Sequence, residues 1–197
     1  MPSATHVRRR GAELREAVFS AALAEIAENG LRGASMDRIA KRAGTGKSAL
    51  YRRWDNVRAL ALDVVITTME DNLPTPDATT GSLRDDLLRS MTRLSEEMDG
   101  GLGIVLRELI SEGAHDPSLV SEFQTRFGLR KQAELMTMIQ LGMARGDIPP
   151  NPIDPYFLQL PSALVMHTMV MTGSCPSPAE AGHVVDEILM PLLKRDR

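Results

Sequence analysis

The stretch from Ser35 to Leu60, SMDRIAKRAGTGKSALYRRWDNVRAL, constrains the chain more than any other. Met36, Ile39, Ala40 and Ala43 fall on one side of a first helix, and Ser35 stands at its N-cap. Gly44 stands where that helix stops, and Thr45-Gly46 completes the turn. A second short helix is expected from Lys47 to Arg53, with Ala49 and Leu50 inward and Lys47, Ser48, Tyr51, Arg52 and Arg53 outward. Trp54-Asp55-Asn56 breaks it, and a longer apolar-periodic stretch follows. Two helices, a glycine turn and a small basic second helix make a helix-turn-helix, which sets its second helix in a DNA major groove.

The flanks complete a helical head. Val18, Phe19, Ala22, Leu23 and Ile26 stripe a helix over 13–29, and Asn29-Gly30 forms its C-cap. Leu60, Val64, Val65 and Met69 stripe a helix over 56–72, closed by Pro74 and Pro76. Beyond that loop the chain reads as further helices. Ser82 with Asp85 resembles a capping box ahead of Leu83, Leu87, Met91, Leu94 and Met98. Asp116-Pro117 opens a long helix to Arg145, which Gly128 bends and Gly146 caps. A helix over 154–173 is expected to kink at Pro161. Ser177-Pro178-Ala179-Glu180 is a capping box for a last helix reaching Leu193. No strand-like alternation is long enough to count. The expectation is an all-α chain, with a helix-turn-helix head over 1–55 and a helical body over 56–197.

Charge follows the same division. Residues 1–60 carry 12 Lys/Arg and 6 Asp/Glu, a net of +6, and residues 61–197 carry 11 and 20, a net of -9. A basic head on an acidic body brings only the head to a polyanion. Arg8, Arg9 and Arg10 read equally as a solvated tail or as an arm reaching phosphates or the minor groove. The single cysteine, Cys175, excludes an internal disulfide and fits a reducing cytoplasm, and no apolar segment follows the basic N-terminus to make a secretory signal. Residues 155–179 hold no charged side chain, but Gln159, Pro161, His167 and Thr172 interrupt them, so a buried or interfacial helix explains them better than a membrane span.

At Ile39-Ala40, Ala43-Gly44, Leu50-Tyr51, Trp54 and Ala59-Leu60 the chain resembles the DNA-binding domain of the TetR family of bacterial regulators. ELISEGAHDPSLVSEF, ARGDIPPNPIDP and VVDEILMPLL are similar to one branch of that family's bodies. The resemblance implies that Lys47, Ser48 and Arg52 reach base edges, where Lys and Arg suit the two acceptors of guanine. It implies phosphate contacts for Ser35, Thr45, Tyr51 and Arg53. Where the family usually has Lys at the start of the fourth helix this chain has Val57, so Arg58 is the candidate in its place; Gly46 stands where Ser is usual. The resemblance also implies a homodimer through the last two helices, about 155–173 and 178–193. Their uncharged and striped faces independently ask for a partner.

By the same resemblance, double-stranded DNA is the partner, and a small apolar effector bound in the body releases a repressor from a palindromic operator. The candidate pocket residues are Met91, Met98, Arg107, Met136, Met138, Met166 and His167, the methionines chosen because that side chain adapts to irregular shapes. No cofactor is expected. Gly44-Thr45-Gly46-Lys47-Ser48 is not a phosphate loop, since the first glycine of that motif would be Lys41 and a helix precedes it. The four histidines lack metal spacing, and neither a nucleophile elbow nor a dinucleotide fingerprint occurs. Two alternatives stay open: a regulator without a small-molecule inducer, and a helical enzyme with an accessory DNA-binding head.

Overall fold

The computed structural model describes residues 11–71 and 80–195. Arg8–Arg10 and the loop with Pro74 and Pro76 lie outside the described residues. Among the described residues every regular element is helical.

The head opens with α1, Ala12–Gly33, which buries Val18, Phe19, Ala22 and Ile26 as the stripe predicts. Gly30 takes φ +68° with ψ 166°, a positive-φ conformation open to glycine but not the left-handed helical one of a C-cap, and the chain adds one more helical turn beyond it. That turn buries Leu31 and carries Arg32. Next comes α2, Met36–Arg42, capped by Ser35, whose Oγ accepts from Arg38 N at 3.5 Å. Gly44 has φ +67° in the turn. Then α3 spans Lys47–Tyr51 and α4 spans Val57–Asp71. Asn56 Oδ1 accepts from Ala59 N at 3.0 Å and so caps α4.

After α4 come α5, Leu83–Met98, and α6, Gly101–Gly113. Ser82 Oγ accepts from Asp85 N at 3.3 Å, which is half of the expected capping box. The other half differs: Ser82 N donates to Thr80 Oγ1, and the Asp85 carboxylate pairs with Arg84. Between α5 and α6 the backbone turns so tightly that a Cβ at Gly103 would lie 1.9 Å from Met98 O, so no other residue fits there.

The expected long helix is a continuous rod of three parts: α7, Pro117–Phe123, a π-helical segment, Gln124–Gly128, and α8, Leu129–Arg145. Pro161 does not kink a helix. A short 3-10 turn, Phe157–Gln159, precedes α9, Leu160–Thr172, so Pro161 lies in the first turn, where its missing N–H costs nothing. The last helix starts with the full capping box of Ser177 and Glu180. It runs as α10, Pro178–Val184, a π-helical segment, Val185–Leu189, and α11, Met190–Leu193. Pro191 supplies no N–H and crowds the carbonyl four residues back, which accounts for the widened turn just before it.

Helix α4 packs on both α1 and α6, and α5 packs on α6, α8, α9 and α10. One apolar core therefore runs from Val18 in the head to Leu193 at the end of the body.

Candidate nucleic-acid interface

The local sequence positions α3 by simple means. Leu50 is 1% exposed and Trp54 7%, and these two anchor the short helix to the head core. Phe19 lies 6.2 Å from Trp54, ring to ring. Thr45 N donates to Ala40 O at 3.0 Å and sets the angle between α2 and α3. Everything polar on α3 is left outward: Lys47, Ser48, Tyr51, Arg52 and Arg53 are all exposed, and Tyr51 keeps half its surface in solvent. The helix ends earlier than expected, at Tyr51, with Arg52 as its C-cap and Arg53 in the turn. Lys47, Ser48, Tyr51 and Arg52 share one face at helical spacing. The Arg53 guanidinium lies over the Trp54 ring at 5.9 Å, which orients it beside that face.

Most of the arginines elsewhere in the described head are already engaged, while Lys41 on α2 is exposed. Glu25 is 1% exposed and accepts from Arg38 Nε at 2.5 Å, with Arg42 at 3.7 Å. Arg42 also forms a two-pronged pair with Glu28, which holds that carboxyl below the usual carboxylate range. These pairs pin α2 to α1. Lys47 has a looser partner, Asp37 at 3.5 Å, and both side chains are well exposed. Screening by solvent and salt leaves such a pair easily exchanged for a phosphate.

Arg58, the candidate for a phosphate contact, is paired within the chain. It turns to the body, with Nη2 2.8 Å from Glu112 Oε2 and Nη1 3.7 Å from Asp116. The cause is a buried carboxylate 54 residues away in sequence, which the motif around Arg58 does not reveal.

Ser35 keeps its hydroxyl at the N-terminus of α2, half-buried, and Thr45 is half-buried in the turn. Both oxygens lie near helix starts, where backbone N–H groups favour an anion.

The expected pocket residues do not converge. Met91 and Met98 are buried in α5; Met136, Met138 and Met166 are half-buried; His167 is exposed on α9; and Arg107 reaches Gly173 O at 3.5 Å. A cavity of about 20 Å³ lies between α5, α8 and the start of α9, and Met91 alone of that set lines it. Its polar lining is Ser90, Lys131, Glu134 and Ser162, none of which sequence reasoning singled out. Lys131 donates to Ser90 at 3.2 Å and to Glu134 Oε2 at 2.9 Å, while Glu134 Oε1 is buried with no hydrogen-bond partner among the described residues. The i, i+3 spacing of Lys131 and Glu134 was visible in the sequence, but their burial was not.

No group of His, Cys, Asp or Glu among the described residues could hold a metal ion. No described helix is long and apolar enough to cross a membrane.

Comparison with known proteins agrees with this geometry. Residues 18–64 match the family described as bacterial regulatory proteins, tetR family, and residues 76–188 match the tetracyclin repressor-like C-terminal domain. The chain is 30% identical over 158 residues to the uncharacterised HTH-type transcriptional regulator YdeS of Bacillus subtilis, covering 80% of this chain and 79% of that one. It is 31% identical over 139 residues to the HTH-type transcriptional regulator AqdR of Rhodococcus erythropolis, covering 71% and 66%. Among solved structures, the TetR family transcription regulator SCO0332 superposes with a TM-score of 0.69 at 25% identity, over 90% of this chain and 97% of that one.

Proposed function

Because the chain belongs to the TetR family of helix-turn-helix transcriptional regulators, we propose that it binds a two-fold DNA operator as a homodimer and represses transcription there. The observation that carries this is the division of labour among the head's cations. Arg38, Arg42 and Arg58 are committed to internal carboxylates, whereas Lys47, Arg52 and Arg53 cluster on and beside the exposed face of α3. A helix presented this way enters a major groove with its side chains against base edges.

Lys47, Ser48 and Arg52 read bases in this account, and Ser35, Thr45, Tyr51 and Arg53 hold phosphates. The two-fold comes from α9 and the last helix. Val170 and Met171 are 43% and 67% exposed on α9, and Leu192 is 39% exposed on α11, so an apolar face is left for a second copy. A dimer seated across two grooves covers the promoter and blocks polymerase.

Selection of bound duplexes from a random pool tests the reading. The expected result is a two-fold motif with half-sites about 10 base pairs or slightly more apart. A pool without sequence preference contradicts it, and means the head meets only the backbone.

The body supports two readings of control. A small, mainly apolar effector that displaces α9 from α5 and α8 and carries one hydrogen-bond donor suits the cavity and the unpartnered Glu134 oxygen. The other reading is a regulator without a small-molecule inducer: this cavity has room for about one water molecule, and a cavity of about 270 Å³ bounded by Asp154, Phe157, Leu160 and Leu192 lies apart from the methionines. Thermal unfolding of the full chain against a metabolite library separates them, since a ligand of the native state raises the melting temperature.

A further inference from the structure

The contact between head and body is built around one carboxylate. Glu112 lies in the last turn of α6, its side chain 5% exposed, and both of its oxygens are used. Oε1 accepts from Arg32 Nε at 2.5 Å, and Oε2 lies 2.8 Å from Arg58 Nη2. Arg32 belongs to the turn that α1 adds after Gly30, and Arg58 to the first turn of α4. Glu112 thus touches the end of one head helix and the start of the helix that leaves the head.

Its neighbours along the same face extend the contact. Glu108, one turn earlier, accepts from Leu31 N at 2.9 Å through Oε2. Asp116, one turn later, lies 3.7 Å from Arg58 and also caps α7. Of the three only Glu112 is buried and grips both α1 and α4 at once.

The chemistry assigns these groups a different task from the apolar packing around them. Burial of α1 and α4 against α6 holds head to body, but the hydrophobic effect has no preferred direction. Arginine–carboxylate hydrogen bonds do. The guanidinium groups sit at the end of α1 and at the start of α4, the helix that joins head to body, so they fix the angle at which the head leaves the body. In a dimer that angle sets the distance between the two copies of α3.

We propose that Glu112 is the positioning residue for half-site spacing, with Arg58 and Arg32 as the arms through which it acts. The inference rests on the two-fold reading above and goes beyond it: α3 decides which bases are read, and the Glu112 cluster decides how far apart the two sets lie. Arg58 accordingly contributes nothing to phosphate binding.

The test uses the full chain and duplexes that carry the selected half-sites at the best separation and at separations longer or shorter by one and two base pairs. Wild type is expected to lose about tenfold in affinity per base pair of misfit, equivalent to about 1.4 kcal/mol. Glu112→Gln keeps one acceptor and loses the charge; its affinities across the series should fall within about threefold of one another. Half-site base preference should stay that of wild type. Arg58→Ala, exposed enough to leave the fold intact, should flatten the series likewise and leave the slope of log affinity against log salt unchanged.

Unaltered spacing preference in both variants overturns the proposal while leaving the DNA-binding reading in place. So does an Arg58→Ala variant that weakens every duplex alike and lowers the salt slope by about one, the signature of a lost phosphate contact. A wild-type protein that selects no two-fold motif at all overturns both readings.

Discussion

Trp54 Nε1 donates to Asp63 Oδ2 at 3.0 Å, and the other oxygen of Asp63 accepts from Arg126 Nη2 at 2.7 Å. Trp54 ends the recognition unit, Asp63 lies two turns into α4, and Arg126 sits in the π-helical segment of the body. The indole that anchors α3 is therefore held from the body side. Asp63→Ala leaves a nearly buried indole N–H without its acceptor, which costs about 1–3 kcal/mol. Asp63→Asn keeps an acceptor for Trp54 and should cost less. Chemical denaturation of the three proteins orders them, and equal stability would mean that the hydrogen bond carries no weight.

Within the head, the buried carboxylate of Glu25 creates an asymmetry between its two arginines. Arg38 reaches it at 2.5 Å, whereas Arg42 stays at 3.7 Å and has Glu28 as well. Arg38→Ala strands a buried charge and should destabilise by about 2–3 kcal/mol. Arg42→Ala removes mainly an exposed pair and should cost under about 1 kcal/mol. The comparison is read from denaturation midpoints at equal slope.

Acid should loosen head from body. Arg32, by hydrogen bond and by charge, holds the Glu112 carboxyl below the usual carboxylate range. A lowered native pKa contributes stability that is complete above the unfolded value, near 4.5, and is lost as pH falls through the native one. The melting temperature of Glu112→Gln should therefore lie below that of wild type at pH 7, with the gap closing below about pH 4. A gap of the same size at pH 7 and pH 3 would show that the carboxylate is not paired in the native state.

The proposed dimer face makes a further prediction. Met171 is 67% exposed at the end of α9 and contributes nothing to the core of its own chain. Met171→Glu places a charge in the face that a second copy would cover, at a cost of several kcal/mol per dimer for two unpaired charges. Sedimentation should show the variant as a monomer, folded, with much weakened binding to a two-fold site. A Met171→Glu dimer as tight as wild type would place the interface elsewhere.

The head was legible because its signals are local. Ser35, Gly44 and the Leu50/Trp54 anchors act within a few residues of where they stand, so spacing alone locates α2, the turn and α3. The capping box at Ser177 was legible for the same reason, and Pro161 was misjudged only by where its helix begins. What the sequence hides is pairing at long range. Arg58 reads as one more head cation until Glu112, on another helix, takes it. Nothing near Lys131 and Glu134 in sequence shows that α5 and α9 close over them. The two π-helical segments have no periodic signature, although Pro191 marks one of them.

The central claim is that α3 reads bases while the turn after it holds backbone. Affinities of Arg52→Ala and Arg53→Ala, measured on the selected operator and on every single-base variant of one half-site, test it most directly. Arg52→Ala should cost about 1–3 kcal/mol on the best site and lose discrimination at one base pair. Arg53→Ala should weaken all sequences alike and lower the salt slope by about one. Uniform loss with Arg52→Ala, discrimination intact at every position, would contradict the assignment of α3 as the reading helix.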